Sequence, residues 1–401
     1  MSSQPLIVSI PTPPSSPVLY YSPPSPTLCK SLKVIFTTSW INVLLIFVPL
    51  GYIAFELKWN TTWVFVLNFL AIIPLAILFE FAAESVSLRV GRVTGCLLNT
   101  TFSNTIESIV FIVALKEGQI RIVQASILGS IISNLLLVLG MRFIAGEIYH
   151  RGQSFNVTAA QTALSSMSLA CISLIIPAAF ISFVSSVENS DIISNDDEKY
   201  KEILNLSHGT AIILLITYIL YLLFHLKTHT HFYQAEEENE NDEQPQLTLI
   251  VSLLLLAVVT VSVSFSADYL ADSIEGIVES HELNKTFVGL ILIPNIKKIS
   301  EIVGTLTSPM KNKMDLHYAI HSAVGSSMQI TLFVSPLLVI LGWIIGQQMT
   351  LFFHTFETII LFASVMMTYY LIQGGETHWL KGAIFLATYV IIALATYFYP
   401  N

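Results

Sequence analysis

Apolar runs of the length needed to cross a bilayer, about 20 residues each, recur along almost the whole of this 401-residue chain. A backbone in lipid has to satisfy every N–H and C=O internally, so only helices and closed barrels span a membrane. These runs do not alternate polar and apolar residues, which removes the barrel. Charged residues make up only 11% of the chain, against about 25% in a soluble domain, and mean hydropathy is +0.71. The expected fold class is an all-α polytopic membrane protein.

Eleven spans are expected, at roughly 38–57, 62–81, 95–115, 122–145, 159–186, 208–227, 248–268, 285–308, 315–345, 349–371 and 379–399. Residues 1–36, with "PTPPSSP" and "SPPSPT", read as a disordered Pro/Ser-rich tail. Residues 228–247 read as an acidic linker, with "AEEENENDEQ" at 235–244. They separate a first span plus one five-helix repeat (37–227) from a second five-helix repeat (248–401). Five is odd, so the two halves would enter the membrane in opposite orientations, the inverted-repeat layout of secondary transporters. The Lys and Arg residues of the loops favour a cytosolic N-terminus. The net charge of −9 sits mostly in loops. The expected partner surface is the lipid bilayer, not nucleic acid, and self-association as a homo-oligomer stays open. Cys29, Cys96 and Cys171 cannot form a disulfide framework. No nucleophile–base pair, metal-site spacing or phosphate loop stands out, so an enzyme is not expected.

An ionisable side chain at mid-span costs about 2.5–3.5 kcal/mol and usually faces a cavity or a partner. Glu107 and Glu301 are therefore the primary candidates. Asn104 lies three residues before Glu107, and Lys298 three before Glu301, spacings that put each pair on one helix face. Ser130, Ser133 and Asn134 follow in the first half, and Ser326, Ser327 and Gln329 in the second. Oxygen ligands of this kind suit a hard cation such as Ca²⁺. The same two carboxylates could instead each take a proton, which would couple the two ions as an exchanger. The polar residues also fit a plainer role, as glue between helices. Asp268, Asp272, Glu275 and Glu279 follow a span; they read as a water-facing edge or as a funnel that gathers cations. His225, His229 and His231 read as solvent-facing, and His321 as a packing residue.

"GCLLNTTFSNTIESIVFIVALKEGQIRIVQASILGSIISNLLLVLG" (95–140) resembles the first conserved repeat of the calcium/proton exchangers of the cation/calcium antiporter superfamily, in particular their fungal vacuolar members. "ESHELNKTFVGLILIP" (279–294), followed by "KNKMDL" and "GSSMQITLFVSP", resembles the second. The family's Gly-Asn-x-x-Glu motif falls on Ser103, Asn104 and Glu107, and again on Lys297, Lys298 and Glu301. Its further polar positions fall on Ser130, Ser133, Ser326 and Gln329. The resemblance implies exchange of Ca²⁺, with Mn²⁺ as a variant, for H⁺ in the membrane of a vacuole or other acidic organelle. It implies no cofactor beyond the transported ions.

Two departures accompany the resemblance. Lys298 replaces an oxygen ligand with an ammonium, which has three donors and no acceptor. Lys297 replaces a glycine, and its side chain is expected to snorkel or to lie at a cavity edge. The stretch "LHYAIHSAV" (316–324) is also longer by two residues than its first-half counterpart, about 200° of helix rotation. Unless a bulge absorbs that, Ser326 and Gln329 are expected to turn away from the site. Two alternatives therefore stand beside Ca²⁺/H⁺ exchange: a degenerate, non-transporting relative, and an exchanger of another cation such as Na⁺ or K⁺.

Overall fold

The structure is a computed structural model that describes residues 28–37, 39–90, 92–149, 153–154, parts of 161–179, 196–228, 245–307 and 316–399. The acidic run 235–244, His229 and His231 lie outside the described residues, as do the side chains of His225 and His321. The described chain is helical apart from one antiparallel pairing of Gln153–Ser154 with Glu376–Thr377.

Seven helices are long and apolar enough to cross a membrane: Thr61–Ser87, Ile120–Ile148, Lys201–Leu223, Leu249–Ser280, Ser322–Ile345, Thr355–Gln373 and Trp379–Tyr397. The other predicted spans fall on shorter or interrupted helices. Trp40–Glu56 and Met167–Pro177 are short and apolar. Arg92–Ser103 and Thr105–Lys116 are two helices split at Asn104. Lys285–Phe287 leads through a π turn into Ile293–Thr307. All five tryptophans, at 40, 59, 63, 343 and 379, lie near helix ends and are exposed. That is where amphipathic rings sit at a membrane interface.

The first helices of the two halves run antiparallel. Arg89, just after Thr61–Ser87, donates to the carbonyl of Leu247, just before Leu249–Ser280. At the other end Gly276 packs so closely on Thr61 that a Cβ there would come within 2.4 Å of Thr61 Cγ2. Innermost is Ile120–Ile148, whose apolar stretch is 94% buried. Leu249–Ser280 and Trp379–Tyr397 bury only 28% of theirs and turn the rest outward.

Two close crossings set the centre. Gly129 lies against the carbonyl of Leu290, which a Cβ would approach to 2.1 Å. Gly289 lies against Ala125 and the carbonyl of Ile122. Small residues at such crossings let helix backbones touch in lipid. The π turn Val288–Leu292 ends just before Pro294, and the π turn Ile330–Val334 just before Pro336. Proline has no N–H to close the preceding turn, which widens instead. A third π turn, Ser133–Val138, interrupts the central helix without a proline.

Three expectations change. The tail is not irregular throughout: Leu28–Thr37 is a helix, held by buried Ile35 and by Asn42 Nδ2 donating to the Ile35 carbonyl at 2.8 Å. The predicted span 95–115 breaks at Asn104, whose φ of −106° and ψ of 9° leave the helix. The predicted span 248–268 ends too early. Its helix continues to Ser280, so Asp268, Asp272, Glu275 and Glu279 sit on its last turns. Hydropathy stops at the first charge, while the helix runs on.

Candidate functional site

The break at Asn104 sets the site. It ends Arg92–Ser103 and starts Thr105–Lys116, leaving Asn104 buried at the junction and Glu107 in the first turn of the second helix. A carboxylate there faces the positive end of the helix dipole. Opposite runs Ile293–Thr307, which carries Lys297, Lys298 and Glu301 one turn apart.

Lys298 is completely buried, and its ammonium bridges the halves. Nζ lies 2.8 Å from Glu107 Oε1 and 3.2 Å from Glu301 Oε1. Lys297 Nζ lies 2.8 Å from Glu301 Oε1 and 3.4 Å from Asn104 Oδ1. Lys297 therefore does not snorkel. It is buried beside a cavity of about 10 Å³, the space of about one water, bounded by Glu107, Phe111, Ile293 and Ile296. Two carboxylates face two ammoniums, and the charges of this inner set cancel with no ion present.

Beside the ion pairs lies a hydrogen-bonded polar set. Asn104 Nδ2 donates to Gln329 Oε1 at 2.7 Å, and Ser326 Oγ donates to Asn104 Oδ1 at 2.7 Å. Asn134 Nδ2 donates to Ser326 Oγ at 3.2 Å, and Gln329 Nε2 to Tyr218 OH at 3.5 Å. Ser326 and Gln329 thus face Asn104, against the expectation of a rotated helix. Leu316–Gln329 is continuous α-helix, so the two extra residues are not absorbed within it, and the π turn follows only at Ile330.

The remaining predicted oxygens divide. Ser133 Oγ donates to the Ser130 carbonyl and Ser327 Oγ to the Ala323 carbonyl, bonds within their own helices. Ser130 Oγ, Asn134 Oδ1 and both Glu107 oxygens are buried and have no well-directed hydrogen bond among the described residues. The 2.8 Å approach of Lys298 to Glu107 is thus a charge contact without hydrogen-bond geometry. Buried acceptors without a directed donor are costly, and at Glu107 the charge of Lys298 offsets part of that cost.

The acidic edge is elsewhere, and two of its four carboxylates are paired. Asp268 lies 3.5 Å from Lys116 Nζ, and Glu275 lies 3.8 Å from Lys285 Nζ. Asp272 and Glu279 are exposed. Among the described residues no three His, Cys, Asp or Glu side chains form a metal-binding group.

Sequence reasoning passed over two clusters. Arg121 pairs with fully buried Glu357 and donates to Thr286 Oγ1 at 3.2 Å, tying together the starts of three helices at one membrane face. Glu80 sits among the charges of Lys297, Glu301, Lys298 and Arg142. Arg121 read as a loop cation and Glu80 as the last residue but one of a span. Only the fold shows what faces them.

Residues 60–227 and 251–398 match the family model described as sodium/calcium exchanger protein. The chain belongs to this family. It is 46% identical over 370 residues to a vacuolar calcium ion transporter of Schizosaccharomyces pombe, covering 92% of this chain and 87% of that one. It is 38% identical to a Ca(2+)/H(+) antiporter of Aphanothece halophytica, covering 89% of this chain and 96% of that one. The solved structure of native YfkE superposes with a TM-score of 0.72 at 30% identity, covering 90% of this chain and all of that one. The family assignment and the helical membrane fold agree.

Proposed function

We propose that this exchanger-family protein moves Ca²⁺ against H⁺ across the membrane of a vacuole or other acidic organelle, with its N-terminus in the cytosol. The observation that carries the reading is the convergence of Glu107 and Glu301 on one point from opposite halves of the chain. Relatives named as a vacuolar calcium ion transporter and a Ca(2+)/H(+) antiporter support it. In this chain Glu107 Oε1 and Glu301 Oε1 lie 2.8 and 3.2 Å from the Lys298 Nζ between them, a little longer than the about 2.3–2.6 Å at which oxygens hold calcium.

In this reading a cation entering the site takes the place of the Lys298 ammonium. Asn104, Ser130, Asn134, Ser326 and Gln329 offer neutral oxygens around the two carboxylates, and Ser133 shapes the turn that carries them. Protons taken up by the carboxylates release the ion, and the Lys298 ammonium returns between them once they ionise again. Rocking of one half against the other would expose the site to each side in turn. Mn²⁺ fits the same ligands.

The experiment is proton-gradient-driven calcium uptake by reconstituted protein, beside Glu107→Gln and Glu301→Gln variants. Uptake by the parent and its loss in both variants is expected. A second reading has one specific observation in its favour: Lys297 and Lys298 already neutralise both carboxylates. In that reading the chain folds as an exchanger and does not transport. Silence of the parent together with uptake by Lys298→Asn would establish it.

A further inference from the structure

Three hydrogen bonds in a row lead from the charged centre to Lys201–Leu223, a helix that carries none of the expected site residues. Lys297 Nζ donates to Asn104 Oδ1 at 3.4 Å, Asn104 Nδ2 to Gln329 Oε1 at 2.7 Å, and Gln329 Nε2 to Tyr218 OH at 3.5 Å. All three point the same way. An ammonium only donates, so the row can start in one direction only. Turning the Gln329 amide over would set its NH₂ group against that of Asn104. Both amide oxygens therefore face back toward the charged centre.

Asn104 is held at each of its polar atoms. Its Nδ2 also donates to the Ser326 carbonyl at 3.3 Å, and its Oδ1 also accepts from Ser326 Oγ at 2.7 Å. Gln329 depends on the far end of the row. It is buried, and among the described residues its Nε2 has the Tyr218 hydroxyl as its acceptor. Its oxygen has a second lone pair, so it can keep the Asn104 bond while it faces an ion.

Tyr218 is well placed for this. Lys201–Leu223 buries only 28% of its apolar stretch, yet Tyr218 is on the inward side and 7% exposed. Its ring stacks on Phe333, with centroids 5.1 Å apart. Phe333 follows Gln329 by four residues, so the ring packs beside the amide that the hydroxyl holds. A phenylalanine would fill the same space. A buried phenol hydroxyl is costly unless it is bonded, and here its bond goes to the site.

We propose that Tyr218 is a positioning residue for exchange: its hydroxyl accepts from Gln329 and so keeps the amide oxygen, not the amide nitrogen, turned toward the place of the cation. The proposal rests on the exchange reading above, in which Gln329 offers that oxygen to the ion. Tyr218 acts through Gln329 and is not itself an ion ligand. Without the hydroxyl a buried N–H loses its acceptor, and Gln329 is free to turn its amide over or withdraw it. A cation would then meet donors where it needs an acceptor.

The test compares the parent, Tyr218→Phe, Gln329→Met and Tyr218→Phe/Gln329→Met, each also made with Lys298→Asn, as full chains checked for a cooperative melt in detergent. The half-saturating calcium concentration is read twice: from uptake under a proton gradient in vesicles, and from the calcium-dependent rise in melting temperature, which needs no turnover. Tyr218→Phe is expected to raise it about threefold to tenfold, with a smaller effect on the maximal rate and a calcium-free melting temperature close to the parent's. With Gln329→Met in place, Tyr218→Phe is expected to raise it no further, because no amide remains to be held. An unchanged half-saturating concentration in Tyr218→Phe would overturn the proposal and leave the exchange reading standing. So would an equal rise with and without Gln329→Met, the mark of a packing residue. If only the Lys298→Asn series takes up or binds calcium, the same comparison within that series decides. If no protein in either series does, the exchange reading itself falls, and Tyr218's role with it.

Discussion

Lys298 Nζ lies 2.8 Å from Glu107 Oε1, across an interface between helices from opposite halves of the chain. The chain thus carries a cation of its own where two carboxylates converge. An ammonium competes with a bound ion for the same oxygens, and its charge opposes that ion. Lys298→Asn is expected to raise calcium affinity about tenfold or more, read as a calcium-dependent rise in melting temperature of purified protein. Lys298→Met is expected to lower the melting temperature in calcium-free buffer, because Glu107 then loses its counter-charge.

The hydrogen bonds from Asn104 to Gln329 and from Ser326 to Asn104, each 2.7 Å, join the broken helix of the first half to a helix of the second. Asn104→Leu strands the buried Gln329 and is expected to cost about 1–3 kcal/mol of stability. Asn104→Leu with Gln329→Leu is expected to cost less than the sum of the single changes. Thermal melts of the four proteins of this cycle decide it, and strict additivity would show the two residues to be independent.

Arg121, partly buried, pairs with fully buried Glu357. Arg121→Met leaves a fully buried carboxylate alone, with an expected loss of about 3–5 kcal/mol. Arg121→Met with Glu357→Met removes both charges and is expected to recover most of it. A double variant as unstable as the single one would mean that shape, not charge, holds these helix starts together.

His354 sits beside that pair, at the start of Thr355–Gln373. Burial pushes its imidazole below the usual range, with Arg121 adding to the effect and Glu357 opposing it. The fold therefore favours the neutral ring, and the unfolded chain binds the proton more readily. Stability present above the ordinary histidine pKa of about 6.5 is lost as pH falls below it. The melting temperature is expected to drop more between pH 7.5 and pH 5.5 in the parent than in His354→Gln.

Gly129 and Gly325 look alike in sequence, each opening a Gly-Ser stretch. A Cβ on Gly129 would lie 2.1 Å from the Leu290 carbonyl, whereas one on Gly325 meets nothing within 4 Å. Gly129→Ala is expected to abolish folding, or to separate the helices that carry the site. Gly325→Ala is expected to melt like the parent. Comparing the yield and melting temperature of the two variants checks the asymmetry.

Much of this protein is legible as a string of residues. Apolar runs of bilayer length leave helices as the only spanning solution, because lipid offers no partner for a free backbone group. Glu107, Glu301 and Lys298 mark themselves because charge in such runs is too costly to be idle. Hydropathy cannot see that the third span breaks at Asn104, since polar and apolar residues continue evenly through the break. Nor can it follow Leu249–Ser280 past its first aspartate. Spacing along one helix pairs Lys298 with Glu301; it says nothing of Glu107, 191 positions away in the chain, which the ammonium approaches more closely. Counting residues from one motif to the next turned Ser326 and Gln329 away from the site, but a helix's rotation is set by what it packs against and not by the length of the segment before it. Sequence alone determined the membrane, the two carboxylates and the presence of lysines beside them. Only the tertiary structure decided that one of those lysines lies between the carboxylates, because which charges meet depends on how helices far apart in the chain cross.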